Sequence, residues 1–229
     1  PAWRCRPPPE QSEATRDEPP EQVPPSPDAS STVHTTTGLA TTVVPTTQAN
    51  RTILLPDIDW VDIPGGEFIY QQGELRSLPT FRMARHPITN RQYQTFIDAG
   101  GYRDERWWTD LERPAPEAAR WPQANRPRTN VNWYEAVAFC RSLSAQLGDE
   151  LRLPSEEEWE RAARGRDGRE YPWGNAYESG RANIDETVRW GGEKVGQWYL
   201  EQTTAVGVYP HGASAEGVFD LSGNVWAWC

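Results

Sequence analysis

The sequence predicts an α+β fold with much irregular structure, preceded by a disordered Pro/Thr-rich linker, and three observations lead there. Ten of the 21 prolines fall in residues 1–50, while eleven of the twelve tryptophans follow residue 59, so only the later stretch carries the apolar groups of a core. Within that stretch, short runs alternate as strands do and others repeat at helical spacing. After Gly165 the chain is rich in Gly, Trp and Tyr without long periodic runs, which is the composition of turns and loops. The expected organisation is therefore a linker over residues 1–52 and one folded domain over residues 53–229.

In chain order, Pro7-Pro8-Pro9, Pro19-Pro20, Pro24-Pro25 and the Thr-rich run from Thr35 read as extended, solvated chain and a tether to an upstream domain. Asp59-Trp60-Val61-Asp62-Ile63 alternates, Pro64-Gly65-Gly66 turns the chain and Glu67-Phe68-Ile69-Tyr70 continues it, which predicts a hairpin. Pro79–Ala84 predicts another strand. Thr89 with Gln92 has capping-box spacing, and Tyr93, Phe96 and Ile97 share the face of a helix that Gly100-Gly101 ends. A longer helix opens at Asn132 with Glu135, runs to Gly148 and carries Ala136, Cys140, Leu143 and Leu147 as its expected core stripe. Leu151-Arg152-Leu153 reads as a short strand. Ser155 and Glu158 then box the start of a helix over Glu156–Arg164, whose acidic first turn and basic last turn suit the helix dipole.

A formal charge of -10 opposes a nucleic-acid groove, which needs clustered Lys and Arg, so nucleic-acid partners are not expected. No apolar run approaches the roughly 18 residues of a membrane span, so no membrane partner is expected either. Without a charged-then-apolar leader, the expected location is cytoplasmic. Cys5, Cys140 and Cys229 do not have the spacing of a disulfide framework, and His34, His86 and His211 lack metal-ligand spacing.

Leu153-Pro154-Ser155-Glu156-Glu157-Glu158-Trp159-Glu160, followed by Ala162-Ala163-Arg164-Gly165, closely resembles the signature of the sulfatase-modifying-factor, or formylglycine-generating-enzyme, family. Further motifs accompany it in order: Pro64-Gly65-Gly66-Glu67-Phe68, Pro87-Ile88-Thr89-Asn90 with Tyr93, Val131-Asn132-Trp133, Tyr171-Pro172-Trp173-Gly174, Ala182-Asn183, Thr203-Thr204-Ala205-Val206-Gly207 and Gly223-Asn224-Val225-Trp226. The resemblance implies a C-type-lectin-like variant fold, with Trp159 and Trp173 filling its core. It also implies calcium as a cofactor, held by Asn183, the carbonyl of Ile184 and the adjacent Asp185 at one site, and by Asn224 and Val225 at another. The glutamate of the family's usual second motif is Ala227 here, so this second site is expected to be weak or empty and the chain to bind calcium weakly, through Asn183 and its neighbours if anywhere.

Catalysis in similar enzymes uses a copper-binding cysteine pair placed after the position of Trp228. Copper is therefore expected only if a segment beyond residue 229 supplies that pair, and no residue of this chain is assigned a catalytic role. Three uses of the domain follow from the resemblance. The first is a non-catalytic sensor or binding module for a protein or peptide ligand, tethered to an upstream kinase or NTPase-type domain, as in bacterial relatives. The second is a formylglycine-generating oxidoreductase that converts a substrate cysteine, and the third is a structural domain of a larger assembly.

Overall fold

The computed structural model describes residues 55–188 and 194–229, together with the backbone of Cys5 and Arg6. Six short strands, three α-helices and two 3-10 turns are joined by long stretches without regular structure, an α+β architecture. Strand β1, Cys5–Arg6, pairs in parallel with β6, Ala227–Trp228. These two residues lie within the stretch read as linker; the rest of residues 1–52, like Ile53, falls outside the described residues.

The expected hairpin is replaced by two separate antiparallel ribbons. Strand β2, Trp60–Ile63, pairs with β5, Phe81–Ala84, placing Ile63 opposite Phe81. Strand β3, Gly66–Tyr70, instead turns through Gln71–Gly73 and pairs with β4, Glu74–Leu78, a strand the sequence reading left out. Alternation correctly marked both strands, but Pro64-Gly65 carries the chain from one ribbon to the other. Both ribbons bury one face: Val61 and Ile63 from β2, Phe68 and Tyr70 from β3.

Helix α1, Asn90–Asp98, has the predicted capping box of Thr89 and Gln92, and Ala99 and Gly100 end it. Helix α2, Trp133–Leu147, has its box at Asn132 and Glu135 and stops at Gly148 in the left-handed conformation. Its core face is rotated from the expected stripe: Glu135, Ala138, Phe139, Ser142 and Leu143 are buried, Ala136 and Cys140 are half-buried, and Leu147 is exposed. Aromatic packing explains the rotation, because Phe139 stacks on Tyr93 (5.4 Å between centroids) and meets Phe96 edge-on (5.9 Å). Such pairs contribute about 0.5–1.5 kcal/mol beyond the area they bury. Glu135 is buried with them because one carboxylate oxygen accepts from the Asn132 N–H (2.8 Å) and the other from the Tyr102 hydroxyl.

Leu151-Arg152-Leu153 forms no strand. The Leu151 N–H is taken by the hydroxyl of Ser144 on α2 (2.8 Å), which lies 2.9 Å from the Leu151 carbonyl, so one side chain supplies what a ladder would have. Helix α3, Glu156–Arg164, has the expected Ser155–Glu158 box and charge distribution. It packs Trp159, Ala162 and Ala163 into one core cluster with Val61, Ile63, Val218 and Leu221; Tyr93, Phe96, Trp108, Ala138, Phe139 and Leu143 form a second. Trp159 fills the core as expected. Trp173 does not: it is half-buried, stacks on Tyr171 (5.2 Å) and donates to the Ala176 carbonyl, in an aromatic group shared with Tyr177.

Polar side chains join what regular structure leaves separate. The buried Glu160–Arg164 pair of α3 (2.5 Å) reaches the β3–β4 turn, where Glu160 accepts from the Gln71 N–H and Arg164 donates to the Gln71 carbonyl (3.0 Å). Near the chain end, the Trp133 indole donates to the Cys229 carbonyl (2.8 Å) and the Trp228 indole to the Val131 carbonyl (2.9 Å). These bonds fix β6 against the start of α2. Among the described residues, no helix is long and apolar enough to cross a membrane.

Candidate functional site

Asn183 and Asn224, assigned to separate calcium sites by the resemblance, meet in one network. The Asn183 side chain donates to the Gln202 carbonyl (2.8 Å) and to Asn224 Oδ1 (3.2 Å), and its main-chain carbonyl accepts from the Asn224 N–H (2.9 Å). Asn224 Oδ1 also accepts from the Thr204 N–H (2.8 Å), and its amide donates to Asp220 Oδ1 (3.1 Å). The Gly-Asn dipeptide of this motif has a local physical cause. Gly223 has φ of +84°, and a Cβ there would stand 2.5 Å from the Asn183 carbonyl oxygen; Asn224 follows at φ +63°, a conformation Asn tolerates well.

Asp220, also left-handed at φ +55°, accepts from the Gly207 N–H (2.9 Å). Burial raises its carboxyl above the ordinary range, partly offset by the Gly207 and Asn224 hydrogen bonds. Beside it His86 packs on Phe219 (4.9 Å), and burial lowers the imidazole pKa. Ile184 and Val225 flank the network half-buried, whereas Asp185 turns away, its carboxylate accepting from the N–H (2.9 Å) and hydroxyl (2.7 Å) of Thr187.

Calcium needs six to eight oxygen ligands, and this arrangement does not offer them. Asn224 Oδ1 is committed to N–H and O–H donors, the Asn183 side chain enters the network through its NH2 group, and Asp185 serves its own turn. Ala227, which stands where the family's glutamate is expected, packs against the apolar cluster of Val61, Ile63 and Trp159. Among the described residues, no three His, Cys, Asp or Glu side chains converge as metal ligands. As folded, the set does not fit a calcium cage.

The carboxylate that organises this region is Glu186, which sequence reasoning missed. It is 1% exposed and accepts from the hydroxyls of Tyr177 and Ser179 (2.8 Å) and from the N–H groups of Gly180 (3.3 Å) and Trp198 (3.4 Å). Burial alone would raise its pKa, but these donors outweigh burial and hold it below the ordinary range. Gly196 is required beside it, since a Cβ there would lie 1.9 Å from Glu186 Oε2. The adjacency of Asp185 and Glu186 was the available signal, but only tertiary structure tells which of the two turns inward.

The thiols are poorly suited to chemistry. Cys140 is a free thiol, half-buried on α2, and burial pushes its pKa up to about 12. Cys229 is disulfide-bonded, although the spacing of the three cysteines did not mark a disulfide framework. Several large apolar side chains in the segments around the asparagine network are exposed: Trp226 is 71% exposed and Trp198 57%, with Val195, Tyr199 and Leu200 also exposed. Their segments are tied together by the Glu186 N–H to Trp198 carbonyl bond and by the Asn183 bonds to Gln202 and Asn224.

Two-stranded ribbons, three boxed helices, and long loops fixed by buried polar side chains around the Gly-Asn motif define a sulfatase-modifying-factor domain. The chain belongs to that family: residues 47–229 match the family described as sulfatase-modifying factor enzyme 1-like domain. It is 33% identical over 196 residues to the hercynine oxygenase of Mycolicibacterium thermoresistibile, covering 75% of this chain and 40% of that protein. The inactive C-alpha-formylglycine-generating enzyme 2 of Bos taurus is 28% identical over 218 residues, covering 75% and 70%. The serine/threonine-protein kinase Pkn1 of Chlamydia trachomatis is 29% identical over 190 residues, covering 75% and 27%. Among solved structures, that of CarF is similar at a TM-score of 0.51 and 25% identity, covering 74% of this chain and 78% of that one. The chain therefore spans less than half the length of the hercynine oxygenase and kinase relatives.

Proposed function

We propose that this domain is a non-catalytic binding or sensor module for a protein or peptide ligand, tethered to another domain of its polypeptide. The observation that carries the proposal is the exposure of three aromatic side chains, Trp198, Tyr199 and Trp226, in segments held by the hydrogen-bonded asparagine network. Exposed aromatics of this kind characterise the centres of protein interfaces, where they bury large areas with little loss of side-chain freedom. Similarity to a protein kinase supports a kinase-type domain as the covalent partner, and similarity to a relative named as inactive supports use of the fold without turnover.

Selection of a displayed peptide library on the chain tests the proposal. Enrichment of defined sequences is expected, and Trp226→Ser or Trp198→Ser should abolish it without changing the thermal midpoint. The opposing outcome is conversion of a sulfatase-type cysteine peptide to its aldehyde by this chain with copper and oxygen supplied, read by mass spectrometry. Turnover would favour the formylglycine-generating reading.

A further inference from the structure

The ribbon of β3 and β4 ends in an open edge. Among the described residues no strand pairs with β4 on the side away from β3, and Glu74, Leu75, Arg76 and Ser77 are all exposed. The Ile69 N–H leaves the ribbon to donate to the Arg166 carbonyl (3.0 Å), so Ile69 and Leu75 face each other as a non-hydrogen-bonded pair. The N–H and C=O of Leu75 therefore point away from β3, over the open edge, and those of Ser77 follow by alternation. An edge of this kind is a template for a further strand, and proteins usually block it with Pro, Lys or a bulge. None of these protects β4: its register against β3 runs residue for residue from Glu74 to Leu78, and it contains neither Pro nor Lys.

The side chains say which strand fits. Directly opposite residues share a face, so Ile69 and Leu75 lie side by side on the face turned away from Phe68 and Tyr70, 38% and 65% exposed. Glu74 and Arg76 flank Leu75 on the other face and carry opposite charges, 2.5 Å apart. An antiparallel neighbour of the same sequence, related by a two-fold axis between the two Leu75 residues, satisfies all of these groups. Leu75 of each copy exchanges two backbone hydrogen bonds with Leu75 of the other. Glu74 comes opposite Arg76 and Arg76 opposite Glu74, while Ile69 and Leu75 of both copies line up as one apolar row across four strands. We propose that β4 is the contact between two copies of this chain, joined into a four-stranded antiparallel sheet. At so exposed a site the charges contribute little energy; they set the register, since an axis at Arg76 would oppose that residue to its own copy. Five residues a side make a small interface, so the dimer is weak and concentration-dependent.

Analytical ultracentrifugation of the whole chain over a range of concentrations tests the proposal, and a reversible monomer–dimer equilibrium is expected. Arg76→Glu and Glu74→Arg should each weaken it about tenfold, because like charges then stand opposite each other at both pairs. Mixed in equal amounts, the two variants should associate again as a heterodimer, because each pair once more joins opposite charges. Leu75→Lys should give a monomer with an unchanged thermal midpoint. That variant decides the matter even if losing the Arg76–Glu157 contact (3.7 Å) unsettles the charge reversals. A chain that stays monomeric at millimolar concentration would overturn the proposal. So would a dimer that survives Leu75→Lys, one indifferent to both charge reversals, or one that Trp226→Ser abolishes, since the contact would then lie elsewhere.

Discussion

At the scale of single residues, Glu186 is where an electrostatic argument can be made in full. A carboxylate removed from water costs several kcal/mol unless donors replace its hydration, and Tyr177, Ser179, Gly180 and Trp198 supply them. Glu186→Gln keeps the shape but removes the charge and replaces one acceptor by a donor. It should destabilise by about 1–3 kcal/mol, measured by denaturant titration, with the Trp198 segment becoming sensitive to proteolysis first. Cys140 offers a second test: a thiol whose pKa lies at about 12 carries almost no thiolate at neutral pH. Alkylation of the native protein at pH 7.5 should be slow, with full reaction only after unfolding.

At the scale of the element, the three helices are specified by their ends. The side chains of Thr89, Asn132 and Ser155 each accept from the backbone N–H three residues on, and the backbone N–H of each donates in return to the side chain of Gln92, Glu135 or Glu158. Ser155→Ala should cost about 1 kcal/mol of stability. Arg152 holds Glu158 below its ordinary pKa, and a carboxylate so depressed contributes stability that is present above its unfolded value and lost as pH falls through the folded one. In Arg152→Ala the acid limb of the stability profile should therefore flatten below about pH 5. Helix ends were legible in the sequence because a capping box is complete within four residues. Strand partners were not, since alternation marks a strand but says nothing of its neighbour, and β2 pairs with a segment some twenty residues on. The face of α2 was misjudged for a related reason: counting Cys140 and Leu147 as core ignored that Phe139 had aromatic partners to meet. At the candidate site, Asn183 and Asn224 were found by motif, but their joining and the role of Glu186 depend on loops that no local pattern encodes.

At the scale of the whole molecule, Ala227 links the site to the core. It packs against the cluster of Val61, Ile63 and Trp159, so Ala227→Glu would place a charge against apolar side chains. The chain itself should bind calcium weakly by calorimetry, and Ala227→Glu should lower the melting temperature without creating a tight site. A tight site in that variant would show that the loop re-forms around the ion. The side chains that fix the architecture also join residues far apart in sequence: Arg164 to Gln71 across 93 positions, Arg161 to Pro64 across 97, and the Trp228 indole to Val131 across 97. An ensemble of unfolded chains must close such loops before the contacts return any stabilisation, and helices of nine residues do not hold alone while it does so. The physical outcome is a slow search: refolding in the range of milliseconds to seconds, with the amides of α3 gaining protection from hydrogen exchange together with those of the β3–β4 turn rather than ahead of them.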